Sequence, residues 1–238
     1  MIKPDVIVSW PKNNDYPLWR KFIRDNRERF NKVIVVFMNP NQGRDYSSHV
    51  VLAMQKDEVT FLSSPELKSG EDWRNVAVHE ALKHSDSELV WFTEQDFFPS
   101  DKFWDYVESY SEYDVTGVMQ GSRIHPCSLF ISKEILAKTC MDFSAGNGVD
   151  HFGLIQKDIE NVGKLITFTA IPNYPNEVDK LYKHLNGLSH NWTLLSLGQE
   201  PNYEKAEFID YLAKCLKCGV GLDNEWRQIA KSCLVNCG

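Results

Sequence analysis

Residues 87–99 read Ser-Glu-Leu-Val-Trp-Phe-Thr-Glu-Gln-Asp-Phe-Phe-Pro and join an apolar run to two carboxylates. The run at 88–93 predicts a buried β-strand. Side chains alternate along an extended chain, so Glu94 and Asp96 are expected to point to the same side. Ligands of open α/β sheets bind beyond the carboxyl ends of the strands, and two carboxylates there suit a hard divalent cation. The same residues are also compatible with a solvated acidic turn.

The sequence before this stretch alternates strand and helix signals. Strands are predicted at 6–10, 33–38 and 59–62, and helices at 17–31 and 71–84. The run at 33–38 is apolar on both faces, which is typical of an inner strand of a parallel sheet. The alternation therefore predicts an α/β fold with a mostly parallel central sheet flanked by helices.

The second part of the chain has a less regular pattern. It predicts helices at 100–110, 132–140 and 149–162, strands at 114–119, 126–132 and 165–171, a loop-rich segment at 172–202, and helices at 203–217 and 224–236. We expect one domain over 1–238. Within it, 1–97 form a nucleotide-binding half, 98–202 an acceptor half and 203–238 a C-terminal helical hairpin.

Composition and charge narrow the range of partners. The 238 residues carry 26 basic and 33 acidic side chains, a net charge of −7, which argues against general nucleic-acid binding. The longest apolar run is far shorter than the roughly 20 residues of a membrane-spanning helix. The N-terminus shows no secretion signal, so we expect a cytoplasmic protein. Four C-terminal cysteines have a zinc-like spacing, but the predicted hairpin separates the two pairs too widely for one metal.

Residues 70–105 carry a more specific pattern. Arg74 and Asn75 open a predicted helix, Ala81 follows on it, and an apolar strand leads to Glu94-Gln-Asp96 and then Pro99. This pattern resembles the GT-A fold glycosyltransferases, especially the family 2-like group. The resemblance covers residues 5–135 in outline and 70–105 in detail. The departure is Glu94, where the family has Asp.

The resemblance implies a donor site. Arg74, Asn75 and Glu94 would face a sugar nucleotide, and Asp96 would hold Mn2+ or Mg2+ on its diphosphate. His190, in a Gly/Ser/Asn-containing loop, would complete the metal shell. The loops after the first and third strands would hold the nucleotide, with Trp10 and Ser64 as the candidates. The alternatives are a surface ion pair for Arg74, a core position for Trp10 and an ordinary histidine at 190.

Residues 146–153 read Gly-Asn-Gly-Val-Asp-His-Phe-Gly and open a predicted helix. By the resemblance, an acidic residue at such a helix start removes the proton of the acceptor hydroxyl, and Asp150 is the candidate. A sugar hydroxyl is a weak nucleophile until a base removes its proton. The alternative is a helix N-cap, a position that Asp often occupies. If Asp150 is not the base, His151 is the next candidate.

These patterns predict a metal-assisted glycosyltransferase of the hexosyltransferase type. It would move a sugar from a nucleotide-diphosphate sugar to a hydroxyl acceptor, with inversion if Asp150 is the base. A sugar-phosphate nucleotidyltransferase is an alternative, but the sequence has no Gly-rich loop followed by Lys or Arg near the first strand. The other alternative is a non-catalytic sugar- or nucleotide-binding protein on the same fold.

Overall fold

A computed structural model describes residues 2–9, 16–37, 55–63, 66–94, 97–99, 101–109, 114–120, 122–146, 151–163, 166–170 and 182–184. The chain divides into two compact units. The first comprises Met1–Pro11, Asn26–Glu94 and Val107–Ile171, and the second comprises Lys12–Asp25, Gln95–Tyr106 and Pro172–Gly238. The predicted division into two halves and a hairpin remains a prediction.

The described elements alternate between strands and helices over most of the chain. The strands are β1 (Asp5–Val8), β2 (Val33–Phe37), β3 (Val59–Ser63), β4 (Leu89–Thr93), β5 (Phe97–Pro99), β6 (Val115–Gln120), β7 (Arg123–Ser132), β8 (Ile166–Ala170) and β9 (Tyr182–His184). The helices are α1 (Tyr16–Asp25), α2 (Trp73–His84), α3 (Asp101–Ser109), α4 (Lys133–Leu136) and α5 (Gly153–Asn161), with a short 3-10 helix at Arg27–Arg29.

Seven strands form the sheet of the first unit, in the order β3-β2-β1-β4-β7-β6-β8. Strands β3, β2, β1 and β4 are parallel, with Val8 opposite both Val35 and Thr93. Strand β7 runs antiparallel to β4 and β6, while β6 and β8 are parallel. The sheet is therefore mostly parallel, as predicted, and β2 is an inner strand.

An apolar layer on one face of this sheet holds α2 and α5 in place. Inward-facing residues of β1, β2 and β4 pack with Ala77, Val78 and Ala81 of α2 and with Ile155 and Ile159 of α5. The layer is completed by three buried phenylalanines whose rings lie 5.1–5.7 Å apart, Phe92, Phe143 and Phe152. Their burial fixes Phe143 and Phe152 against the end of β4.

The amino end of the sheet is held by one buried carboxylate. Oδ1 of Asp5 accepts hydrogen bonds from the Asn31 side chain and the Lys32 amide, at 2.9 and 3.0 Å. Oδ2 accepts from Ser85 Oγ and from the amides of Asp86 and Ser87, at 2.7–2.8 Å. Burial of Asp5 opposes its ionisation, but these hydrogen bonds outweigh the burial, so the pKa of the carboxyl lies below its ordinary value.

The second unit contains α1, most of α3 and a two-stranded sheet. Trp19, Phe22 and Ile23 of α1 are buried. Strands β5 and β9 pair antiparallel, with Phe97 opposite His184. The Phe97 ring meets Phe103 of α3 edge-on at 5.5 Å. Within the described ranges, no helix could span a lipid bilayer.

The structure differs from the sequence-based expectations at several element ends. The helix predicted at 17–31 ends at Asp25, because Asn26 leaves the helical conformation and a 3-10 turn follows. The helix predicted at 132–140 spans only Lys133–Leu136. Strands β5 and β9 were not predicted, since three residues carry no period, and β9 falls in the segment that was predicted to be loop-rich. The predicted C-terminal hairpin lies outside the described residues.

Candidate functional site

The carboxyl ends of the parallel strands bring polar residues to one edge of the sheet. Val8 is paired with Thr93, so Ser9 and Glu94, the residues that follow, lie at the same level. Thr93 Oγ1 donates to the Cys127 carbonyl at 3.0 Å, and the Glu94 amide donates to the same oxygen at 3.4 Å. These bonds to β7 fix the start of the acidic stretch.

Arg74 projects from the first turn of α2 to this edge. Its Nη2 atom donates to Glu94 Oε1 at 3.1 Å, and only 8% of the Arg74 side chain is exposed. Its guanidinium carbon also lies 5.0 Å from the centre of the Trp73 ring. A guanidinium held in this way presents a planar fork of donors, which suits a phosphate or a carboxylate.

Asp72 is the N-cap of α2 and also contacts the segment before α5. Its Oδ1 atom accepts from the amides of Arg74 and Asn75, at 2.9 and 3.1 Å. Its Oδ2 atom lies 3.4 Å from Nε2 of His151 and accepts from the Ala145 amide at 3.4 Å. The ring of His151 lies 5.5 Å from that of Trp73.

Two further bonds tie α2 to residues 141–143. Asn75 Oδ1 accepts from the Phe143 amide at 3.0 Å, and His79 Nε2 lies 2.9 Å from the Met141 carbonyl oxygen. Asn75, predicted to face a sugar nucleotide, therefore uses its side-chain oxygen within the protein. Its role toward a ligand remains a prediction.

Phe152 has an unusual backbone conformation for a bulky residue. Its φ is 67° and its ψ is −9°, in the left-handed region, immediately before the first residue of α5. Such a conformation persists only where the surroundings fix it. Here the ring is buried against Phe92 and Phe143, so the turn that contains His151 has a defined direction.

The structure brings together some of the predicted residues and not others. Arg74 and Glu94 are in direct contact, and Asn75 lies one residue further along α2. The other predicted site residues lie outside the described residues and stay predictions: Trp10, Ser64, Asp96, Asp150 and His190.

Asp72 and Trp73 were not singled out as site residues. The sequence carried a usable signal for Asp72, since an Asp directly before a helical period is a preferred N-cap. Its second contact, to His151, joins positions 79 residues apart in the chain, and local sequence cannot show such a contact.

The described carboxylates suit a metal in type but are not gathered as a metal site. Within the described ranges, no three His, Cys, Asp or Glu side chains are placed to share an ion. Glu94 has the oxygen ligands that Mg2+ and Mn2+ prefer, yet one of its oxygens already bonds to Arg74. The oxygen ligands at this edge therefore fit a hard cation only if Asp96 supplies the main ligand.

No protein-family model matches the chain, and no curated protein matches its sequence. The fold, however, is similar to solved structures. Glucosyl-3-phosphoglycerate synthase from Mycobacterium tuberculosis, in complex with Mn2+, UDP and phosphoglyceric acid, is 14% identical, with a TM-score of 0.53 over 84% of this chain and 80% of that one. The mannosyltransferase PcManGT from Pyrobaculum calidifontis, in complex with GDP-Man and Mn2+, is 13% identical, with a TM-score of 0.50 over 98% and 70%.

TarS from S. aureus, residues 1–349, is 15% identical, with a TM-score of 0.50 over 99% of this chain and 71% of that one. Identities this low establish the fold alone. Together with the strand order, they confirm the predicted α/β class and the resemblance at the level of the fold. The chain therefore has the GT-A-like fold of nucleotide-diphospho-sugar glycosyltransferases.

Proposed function

We propose that the chain transfers a sugar from a nucleotide-diphosphate sugar to a hydroxyl acceptor. The observation that carries the proposal is the buried Arg74 at the carboxyl edge of the parallel strands, held there by Glu94. Ligands of α/β sheets bind at this edge, and Arg74 also stands in the first turn of a helix, whose N-terminus favours anions. A nucleotide diphosphate is the anion that the fold makes the first candidate.

In this proposal Arg74 binds the diphosphate of the donor. Its guanidinium donates to the phosphate oxygens, and Glu94 keeps it oriented before the donor arrives. The side-chain NH2 of Asn75 is the group proposed to face the donor, since its oxygen bonds to Phe143. Trp10 and Ser64 are proposed to hold the nucleoside, because they follow β1 and β3 within two residues.

Asp96 and His190 are the proposed ligands of a divalent cation, Mn2+ or Mg2+. When bound, such a cation neutralises charge on the diphosphate as it leaves. Glu94 is proposed to serve Arg74 rather than the metal, because its carboxylate already forms the ion pair. The two solved structures that contain Mn2+ share the fold of this chain and support the choice of cation.

Asp150 is the proposed general base. It would take the proton of the acceptor hydroxyl while the hydroxyl oxygen bonds to the anomeric carbon and the bond to the diphosphate breaks, which inverts that carbon. The support is its position next to His151, whose ring contacts Asp72 and Trp73 beside Arg74. A hexosyl donor, an acceptor other than nucleic acid, and a cytoplasmic location remain part of the proposal.

The test is donor hydrolysis and thermal stabilisation with defined probes. UDP-glucose and GDP-mannose are each incubated with the protein and Mn2+, with an EDTA control, and released nucleotide diphosphate is measured. A ligand present at 100 times its Kd stabilises a fold by about 2.7 kcal/mol, so binding also raises Tm. Metal-dependent release supports a transferase. Stabilisation without release favours the non-catalytic binding protein. The absence of both release and stabilisation contradicts the proposal.

A further inference from the structure

The carboxylate of Asp72 joins two parts of the site. Oδ1 bonds to the backbone of Arg74 and Asn75 at the start of α2, at 2.9 and 3.1 Å. Oδ2 lies 3.4 Å from His151 Nε2 and also accepts from the Ala145 amide. One side chain therefore connects the helix start that carries Arg74 with Ala145 and His151.

The side chain of His151 is mostly buried and lies beside Trp73. Only 15% of its side chain is exposed, and its ring is tilted by 56° against Trp73, with 5.5 Å between centroids. Trp73 in turn contacts the guanidinium of Arg74. The charged groups that face His151 from α2 are thus Asp72 directly and Arg74 through Trp73.

The next residue determines which way His151 points. Phe152 has the left-handed backbone described above, and its ring is anchored among Phe92 and Phe143 in the core. Because α5 begins immediately afterwards, the turn at 151–152 is held on both sides: by the core through Phe152 and by α2 through His151. The second of these contacts is the 3.4 Å approach of His151 Nε2 to the Asp72 carboxylate.

We infer that Asp72 and His151 are positioning residues for the transfer step. Their contact holds His151, the neighbour of Asp150 in the sequence, against the start of α2, which carries Arg74. This inference rests on the proposed function, in which Arg74 binds the donor and Asp150 accepts the proton. Since neither positioning residue is proposed to touch the donor, their loss lowers turnover and leaves donor affinity unchanged.

Three variants separate this role from simple loss of structure. Asp72→Asn keeps the helix cap, since Asn and Asp cap equally well, but replaces a carboxylate oxygen by an NH2 group that repels the Ala145 amide. His151→Ala removes the contact, and His151→Gln restores a donor at a similar reach. Asp86→Asn is the matched control, because Asp86 pairs with Lys32 at the opposite end of β4.

Two measurements are made on each protein. Hydrogen exchange of residues 141–153 needs no ligand and reports on the contact alone. Steady-state hydrolysis of UDP-glucose and GDP-mannose with Mn2+ gives kcat and KM. For Asp72→Asn and His151→Ala we expect faster exchange, a kcat lower by about 10- to 100-fold, as small misplacements in active sites cause, and a KM within about twofold of wild type. His151→Gln recovers most of kcat, and Asp86→Asn matches wild type.

The failures of the inference and of the proposed function are distinguishable. Wild-type kcat in Asp72→Asn and His151→Ala, or a fall explained entirely by KM, overturns the inference and leaves the proposed function standing. If the wild type neither binds nor hydrolyses either donor, the proposed function fails and the role in transfer fails with it. Unchanged exchange in both variants overturns the contact itself, whatever the activity.

Discussion

Nη2 of Arg74 lies 3.1 Å from Oε1 of Glu94, across a sequence separation of 20 residues. The pair joins the first turn of α2 to the residue after β4, and the exposed fractions of the two side chains are 8% and 23%. Glu is one methylene longer than the Asp that the resembled family has at position 94. In this structure the longer Glu94 side chain reaches Arg74. The residue that differs from the family pattern therefore forms an ion pair.

Arg74 and Glu94 should be coupled in their contributions to the free energy of unfolding. In a double-mutant cycle of Arg74→Ala and Glu94→Ala, we expect a coupling free energy of about 1–3 kcal/mol, because the pair is largely shielded from water. The exposed pair of Lys83 and Glu80 on the same helix is the control, with an expected coupling of about 0.5 kcal/mol or less. Urea unfolding measures both cycles. Equal coupling in the two cycles contradicts a special role for the Arg74 pair.

Arg74→Ala should weaken nucleotide binding more than it weakens the fold. A hydrogen bond from a charged donor to phosphate contributes roughly 1.5–3 kcal/mol, so the Kd of UDP or GDP with Mn2+ is expected to rise by about 10- to 100-fold. Calorimetry gives the Kd, and thermal unfolding gives the stability. A destabilised variant that binds both nucleotides as tightly as wild type would show that Arg74 is only structural.

Asp96→Ala should remove metal-dependent donor binding while the fold survives. The expectation rests on the period of two that pairs Asp96 with Glu94 and on the carboxyl-end position of both residues. Mn2+ is titrated in the presence of a nucleoside diphosphate, against wild type and variant. Glu94→Gln is the companion variant and should retain Mn2+-dependent binding, because its carboxylate pairs with Arg74. The same Mn2+ affinity in Asp96→Ala and wild type refutes the ligand assignment.

Asp150→Asn should lower turnover without changing donor affinity. Asn caps a helix as well as Asp does, but it cannot accept the proton of the acceptor hydroxyl. General-base catalysis typically contributes about 10²–10⁴-fold, which sets the expected loss in kcat. Transfer or hydrolysis rates and donor affinities are compared with wild type. Turnover within a few-fold of wild type excludes Asp150 as the base and directs attention to His151.

Asp5 should make the stability depend on acid pH. Because hydrogen bonds hold its pKa below the ordinary value, its contribution to stability is complete above the unfolded pKa of about 3.9 and is lost as the pH falls through the lower folded value. Asp5→Asn replaces one carboxylate oxygen, which accepts from two or three donors, by an NH2 group. The substitution should lower the free energy of unfolding by roughly 2 kcal/mol or more at pH 7. Its free energy of unfolding should also fall less steeply below pH 4.

Urea unfolding between pH 3 and pH 7 checks this prediction. Glu134→Gln is the control, since Glu134 forms an exposed ion pair with Lys138 on the surface. The control should follow the wild-type pH dependence closely. A parallel acid decline in wild type and Asp5→Asn would show that other carboxyl groups dominate the acid transition.

Local sequence was sufficient for the elements with strong patterns. The continuous apolar run of β2 predicted an inner strand and that of β4 a buried strand. Both lie inside the sheet, because a strand buried on two faces needs apolar residues at every position. Helix α2 followed from its buried alanines, and its bounds were predicted to within two residues. Glu94 lies directly after β4, at the carboxyl edge of the parallel strands, because the carboxyl end of a strand follows from chain direction alone.

The tertiary structure decided which side chains meet. Strands β5 and β9 pair although neither has a readable period, since a three-residue strand depends on its partner rather than on its own residues. Arg74 was predicted to bind a ligand or to form a surface ion pair, and the structure gives it a partly buried partner in Glu94. The sequence by itself thus determined the α/β order and the position of Glu94 at the carboxyl end of β4. The contacts of Asp72 with His151 and of Arg74 with Glu94 came from folding, because they join distant positions that no local pattern connects.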